Sequence, residues 1–284
     1  MEYCRDGVMK RITILAMTFL MMGCGRRIDP DRGTLLIVGG RGKPPEAVEA
    51  FIGLCEGGPI LVIPSASGVP QESGPEAVKM FEDAGAEDVD WLFIANKDMA
   101  DADSVVARVE RARGIFFTGG SQSRLMERVG GTRFAEAMKR LYFEKRGVVG
   151  GTSAGAAVQS ERMITGEGDF SILEKENIVT EPGFGFLTNC IIDQHFVARQ
   201  RNNRLLSLVI ETGLSGIGID ESTAILYYPN DTFGVYGEGS VLVYDTKDMI
   251  IPDAQHARLA AENVRLHVLK DGQTFDMVKG RVVR

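Results

Sequence analysis

Residues 148–157 read Val-Val-Gly-Gly-Thr-Ser-Ala-Gly-Ala-Ala and set Ser153 in a Gly-x-Ser-x-Gly frame. Two β-branched residues lead in and small residues follow, the pattern of a buried strand that turns sharply into a helix. Glycine on both sides gives the corner room where a Cβ would clash. Such a corner lifts the Ser153 hydroxyl clear of the sheet. It also turns the Ala154 N–H toward the place where an oxyanion would form. The plainer alternative is an ordinary Gly-rich turn in which Ser153 caps the helix.

A serine nucleophile needs a base, and the base needs an acid to orient it. The chain has three histidines. His256 and His267 lie in a strand-and-turn tail. His195 ends an apolar strand beside Asp193, Gln194 and Phe196, so by elimination it is the base. Glu221, also at a strand end, is the favoured acid because a strand end holds geometry better than a polar loop. Asp169 and Glu167, in the loop after the elbow, are its rivals. A second oxyanion donor is expected from Gly119-Gly120, with Gly120 named for it. Arg199, Arg201 and Arg204 fall at the expected start of a helix over 199–213, where cations oppose the helix dipole. A carboxylate-rich ligand gripped by guanidinium forks would explain them, and a solvated basic face is the alternative. Asp193 and Gln194 beside these arginines suggest a substrate that carries both signs of charge.

Short apolar runs at 34–40, 59–64, 89–94, 114–120 and 147–150 alternate with helical segments at 44–54, 75–84, 104–111 and 133–145. That alternation predicts an α/β fold with a mostly parallel sheet and helices on both faces. Its site lies beyond the carboxyl ends of the strands. The loops there are 39–42, 65–68, 118–122 and the elbow. Gly39-Gly40-Arg41-Gly42 lacks the dinucleotide spacing, and no phosphate-binding loop of the Walker type is present. Farther on, strands are expected at 188–196 and 216–221, the latter paired with 223–228, and residues 160–174 form a polar loop over the site.

The chain has 284 residues and a formal net charge of -7, which argues against nonspecific nucleic-acid binding. Lys10-Arg11, the apolar run 12–22 and Gly23-Cys24 compose an export signal of the bacterial lipoprotein type, with Cys24 the lipidated residue. Met9 begins a more typical signal than Met1. Residues 1–24 are thus read as a signal and 30–284 as one catalytic domain. The expected location is outside the cytoplasm, anchored to a membrane through Cys24. Cys55 and Cys190 are equally consistent with two buried thiols or one disulfide. No metal-ligand spacing appears, and neither metal nor cofactor is implied. A homodimer is compatible with the sequence.

These residues together resemble the cyanophycinases, serine peptidases related to dipeptidase E. The resemblance runs from about Thr34 to Tyr228. It is carried by Phe117-Thr118-Gly119-Gly120-Ser121-Gln122, by Gly151-Thr152-Ser153-Ala154-Gly155-Ala156, by Asp193-Gln194-His195-Phe196 with Arg199, Arg201 and Arg204, and by Gly218-Ile219-Asp220-Glu221. It implies a three-layer, flavodoxin-like fold of the class I glutamine amidotransferase type. It also implies a Ser–His–acid mechanism, with Ser153 as nucleophile and His195 as base. The implied reaction is exopeptidase hydrolysis of cyanophycin, a poly-aspartate with arginine on its β-carboxyls, to β-Asp-Arg dipeptides. Gln122, Asp193, Gln194, Arg199, Arg201 and Arg204 fall where that family's substrate pocket lies. An α-aspartyl dipeptidase is the second reading, disfavoured by the arginine triplet. A non-catalytic lipoprotein that binds acidic peptides is the third, disfavoured by intact Ser153, His195 and Glu221.

Overall fold

The computed structural model describes residues 31–252 and 256–283. The expected signal, with Lys10, Arg11 and Cys24, lies outside the described residues. The first half alternates as the sequence suggests. The order is β1 (Thr34–Val38), α1 (Pro45–Leu54), β2 (Ile60–Ile63), α2 (Pro70–Asp83), β3 (Val89–Trp91), α3 (Lys97–Ala100), α4 (Asp103–Arg111), β4 (Gly114–Phe117), α5 (Gln122–Val129), α6 (Arg133–Phe143), β5 (Val148–Thr152) and α7 (Ala154–Ala157). The second half comprises β6 (Arg162–Ile164), β7 (Thr180–Pro182), β8 (Cys190–Gln194), α8 (Asn202–Thr212), β9 (Ser215–Ile219), β10 (Thr223–Tyr227), β11 (Thr232–Gly237), β12 (Val241–Asp245), β13 (Arg265–Leu269), β14 (Thr274–Asp276) and β15 (Arg281–Val283).

The strands make a nine-stranded sheet in the order β15-β14-β11-β10-β1-β5-β4-β2-β3. β1, β5, β4, β2 and β3 run parallel. β10, β11, β14 and β15 extend the sheet antiparallel from β1. The continuous apolar runs exist because both faces are covered. Leu36, Val38, Ile60, Val62 and Phe116 pack with Phe51 of α1 and Phe81 of α2. Their neighbours Leu35, Ile37, Leu61, Ile63 and Phe117 point the other way, onto α4, α5, α6 and α7.

A smaller sheet, ordered β13-β12-β9-β8, lies on that second side. Ile192, Ile217, Ile219, Val241 and Val243 join the same core as Leu35 and Phe117. The far face of the smaller sheet is covered by α8, through Ile191, Leu205, Leu208 and Val209.

The pairing expected between 216–221 and 223–228 does not form. β9 pairs with β8 and β12, whereas β10 pairs with β1 and β11. The side chains give the reason. β10 alternates Ala224 and Leu226 to one face of the large sheet and Ile225 and Tyr227 to the other. β9 instead places Gly216 under Leu205 and Val209 and Gly218 under the Phe196 ring, so α8 and the turn after β8 can approach it closely. Glu221 thus sits where the chain crosses between sheets. Helical segments also differ, the short α3 being one that the sequence reading lacks. The one expected from Pro75 begins at Pro70, where the first-turn N–H needs no partner. α5 was not expected at all; Ser121 caps it by accepting from the Arg124 N–H at 3.2 Å. Cys55 and Cys190 are both buried thiols and are not joined in a disulfide.

Candidate active site

β5 delivers Ser153 to the carboxyl end of the parallel strands. The Ser153 N–H donates to the Val38 carbonyl at 3.0 Å, which ties the corner to β1. Ser153 has φ 53° and ψ -108°, a conformation that costs a non-glycine residue on the order of 1–3 kcal/mol. The glycines make the corner fit. A Cβ on Gly151 would lie 2.3 Å from the Gly155 carbonyl oxygen, and one on Gly155 would lie 2.4 Å from that of Phe117. The serine side chain does not cap α7. Its Oγ lies 2.9 Å from His195 Nε2, so the plain N-cap alternative does not describe this corner.

His195 follows β8 and also has a positive φ, 49°. Its N–H donates to the Gly39 carbonyl at 2.7 Å. The ring rests against Gly40, whose own φ is 120°; a Cβ there would stand 2.2 Å from His195 Cε1. The turn after His195 is held by Asp220, which accepts from the Val197 and Ala198 N–H groups at 3.2 and 3.0 Å. On the other side of the ring, Nδ1 lies 2.8 Å from Glu221 Oε1. Glu221 Oε2 meets Arg41 Nε at 3.1 Å.

Ser153, His195 and Glu221 thus form one hydrogen-bonded chain, drawn from the large sheet, the small sheet and the crossing between them. Of the rival acids, Asp169 accepts from the Ser171 N–H and hydroxyl at 2.9 and 2.6 Å, and Glu167 lies in the same exposed loop. His256 is exposed, and His267 belongs to β13, its ring edge-on to Phe275.

Burial lowers the His195 pKa below the usual histidine value. The Glu221 hydrogen bond opposes this, and the charges of Arg199 and Arg201 reinforce it. Glu221 is held below the ordinary carboxylate range, first by the His195 hydrogen bond and then by Arg41 and Arg199, against partial desolvation. The site is therefore poised with a neutral imidazole and a charged carboxylate, the pair that a general base needs. The Gly119-Gly120 loop borders the serine, since a Cβ on Gly119 would lie 3.6 Å from Ser153 Cβ. Among the described residues the Gly120 and Ala154 N–H groups donate to no backbone carbonyl.

The six side chains expected to meet substrate separate into two groups. Arg199 is exposed; its backbone N–H donates to the His195 carbonyl at 3.0 Å, and among the described residues its guanidinium has no hydrogen-bond or ion-pair partner. Arg201 donates to the Gln194 carbonyl at 2.6 Å and to Gln194 Oε1. Burial and the Arg204 charge lower its pKa to about 10. By contrast, Asp193 and Arg204 are 1% and 2% exposed and bind each other in a two-pronged pair, Arg204 Nε donating to Asp193 Oδ2 at 2.7 Å. These two support the wall and are not open to a ligand. Gln122 donates from Nε2 to the Ile164 and Thr165 carbonyls at 2.8 and 2.9 Å and so ties down the loop after the elbow.

The three arginines do not all stand at the helix start. α8 begins at Asn202, so Arg199 and Arg201 lie in the preceding turn, where Gln200 has φ 52°. Only Arg204 sits in the first helical turn, and Asp193 neutralises it. Sequence reasoning assigned no role to Gly40, Arg41 or Asp220. The signal for all three was adjacency, two in a glycine loop already placed at the strand ends and one beside Glu221.

Comparison with known proteins identifies the family. Residues 35–233 match the model of Peptidase family S51. A cyanophycinase of Synechococcus elongatus is 32% identical over 256 residues, which cover 87% of this chain and 80% of that protein. A cyanophycinase of Nostoc sp. is 34% identical over 229 residues, covering 79% and 77%. Among solved structures, a peptidase from an acI-B1 actinobacterium superposes with TM-score 0.62 at 21% identity, over 87% of this chain and 98% of that one. A putative peptidase E protein of Listeria monocytogenes gives TM-score 0.53 at 15% identity over 73% of this chain. The chain belongs to peptidase family S51 and is a serine peptidase.

Proposed function

We propose that this peptidase cleaves cyanophycin, releasing β-Asp-Arg dipeptides from the chain end. Ser153 Oγ attacks the scissile carbonyl carbon as His195 Nε2 takes the hydroxyl proton. Glu221 holds the proton on Nδ1, so that Nε2 is the free base, and stabilises the imidazolium that forms. The Gly120 and Ala154 N–H groups receive the oxyanion. His195 then gives its proton to the leaving amine. Water, deprotonated by the same imidazole, releases the acyl group from Ser153 and restores the hydroxyl.

The observation that carries the chemistry is the Ser153–His195–Glu221 hydrogen-bond chain, at 2.9 and 2.8 Å. The substrate rests on the relatives named cyanophycinase and on the cationic wall. Arg199 and Arg201 suit aspartyl carboxylates, with Arg41 at the rim. From Lys10 to Cys24 we also infer a location, outside the cytoplasm and held by a lipid anchor on Cys24. Incubation of the purified protein with cyanophycin, beside its Ser153→Ala variant, is the test. Release of β-Asp-Arg by the first alone is expected. Intact polymer together with cleaved α-aspartyl dipeptides would instead establish the dipeptidase reading.

A further inference from the structure

Beside the triad, β10 and β11 floor a second cleft of about 690 Å³. It starts at Ser222, the residue after Glu221. Its walls are residues 43–46 at the start of α1 and the hairpin 271–274. The register sets Ala224 opposite Tyr236 and Leu226 opposite Gly234, so these side-chain positions share one face of the sheet with Tyr228. Gly234 leaves the floor open. A Cβ there would meet only the rings and hydroxyls of Tyr236 and Tyr228, at 3.5 to 3.9 Å. The two tyrosine hydroxyls are themselves 3.5 Å apart.

The rim of this cleft carries Glu46, Glu238 and Asp271 against Lys43 alone. Asp271 Oδ1 accepts from the Gly237 N–H at 3.0 Å, which fixes the carboxylate and leaves Oδ2 for a ligand. Glu238 is exposed at the mouth. Aromatic faces next to fixed carboxylates match one side-chain chemistry above others. A guanidinium is planar, stacks on rings and pairs with carboxylates through its fork.

We propose that this cleft holds the arginyl side chains of substrate units flanking the scissile bond. The inference rests on the reading of the substrate as an arginine-bearing aspartyl chain and adds a subsite to it. From Ser222 to Tyr228 the strand covers about 20 Å, at roughly 3.3 Å per residue, so the cleft can follow more than one unit. Its charge is opposite to that of the triad's mouth, where Arg41, Arg199 and Arg201 face carboxylates. A chain that displays both groups finds both partners, and bare poly-aspartate finds only one.

The test is equilibrium binding to the Ser153→Ala protein, which cannot turn the ligand over. The probes are a soluble cyanophycin fragment of several units and poly-aspartate of equal length. Asp271→Asn keeps the acceptor for Gly237, and Glu238→Gln changes an exposed side chain, so neither disturbs a buried contact. The double variant should bind the arginine-bearing fragment about tenfold more weakly, the loss of one or two charge-assisted contacts, while its affinity for poly-aspartate stays the same. Equal affinity of both proteins for the fragment overturns the subsite, as does an equal loss for both probes. The cleavage assay on intact polymer is a separate readout. A wild-type protein that leaves polymer uncut while the fragment still shows the tenfold difference rejects the proposed reaction and keeps the guanidinium cleft.

Discussion

At the scale of single residues, the site depends on the ionisation of His195. The imidazole must be neutral to take the Ser153 proton, and burial with the Arg199 and Arg201 charges depresses its pKa. The acid limb of kcat/KM should therefore lie below 6.5, the ordinary histidine value. Replacing Arg199 by Gln removes one of the charges that oppose the imidazolium, so the pKa rises and the acid limb moves to higher pH. A pH–rate profile of both proteins checks the sign, and a limb that moves to lower pH contradicts this electrostatic picture. Most of this was legible in the sequence. Gly-x-Ser-x-Gly and the scarcity of histidine point to Ser153 and His195. A place at a strand end already favours Glu221 over Asp169 and Glu167; what the sequence does not show is that Glu221 lies where the chain crosses between two sheets.

Elements hold these residues by close approach and by buried charge. Gly40 exists so that the His195 ring can lie against the β1 loop. Gly40→Ala sets a methyl 2.2 Å from Cε1 in a backbone with φ 120°. It should displace the ring and lower kcat/KM by roughly 100-fold, since small misplacements at the reacting centre cost that much. Steady-state kinetics would show it. Arg204 offers a sharper contrast. As half of a buried pair, its loss leaves Asp193 only the more distant Arg201, at 3.6 Å, and Arg204→Met should lower the unfolding free energy by about 3 kcal/mol. A substrate-binding arginine would shift it by no more than about 0.5 kcal/mol and act on KM instead. Urea unfolding decides between them. The sequence showed three arginines in six residues but not which of them a carboxylate had already taken. The partner, Asp193, is eleven residues away on β8 while Arg204 is in α8, so only the fold reveals the pair.

For the whole molecule, local pattern specifies most of the parallel half. Each apolar run between residues 34 and 150 contains a strand, because continuous Val, Ile, Leu and Phe require cover on both faces. The second sheet was not legible. β8 and β9 read as further strands of the same kind, and only the glycines at 216 and 218 hint that a helix and an aromatic ring press on one face. The two-sheet arrangement is what brings His195 and Glu221 to Ser153. The N-terminal segment, outside the described residues, carries its own expectation. In cells, Cys24→Ser should shift the protein out of the membrane fraction while activity in the extract is retained, which fractionation with immunodetection would read. Membrane retention of that variant would contradict lipid anchoring.

The central claim is that Ser153 is a nucleophile activated by His195. It is tested most directly by treating the protein with a fluorophosphonate and locating the adduct by mass spectrometry at several pH values. One adduct per chain, on Ser153, forming at a rate that falls as His195 is protonated and lost in the His195→Ala variant, is the expected result. An unmodified Ser153, or labelling that ignores His195, would contradict it.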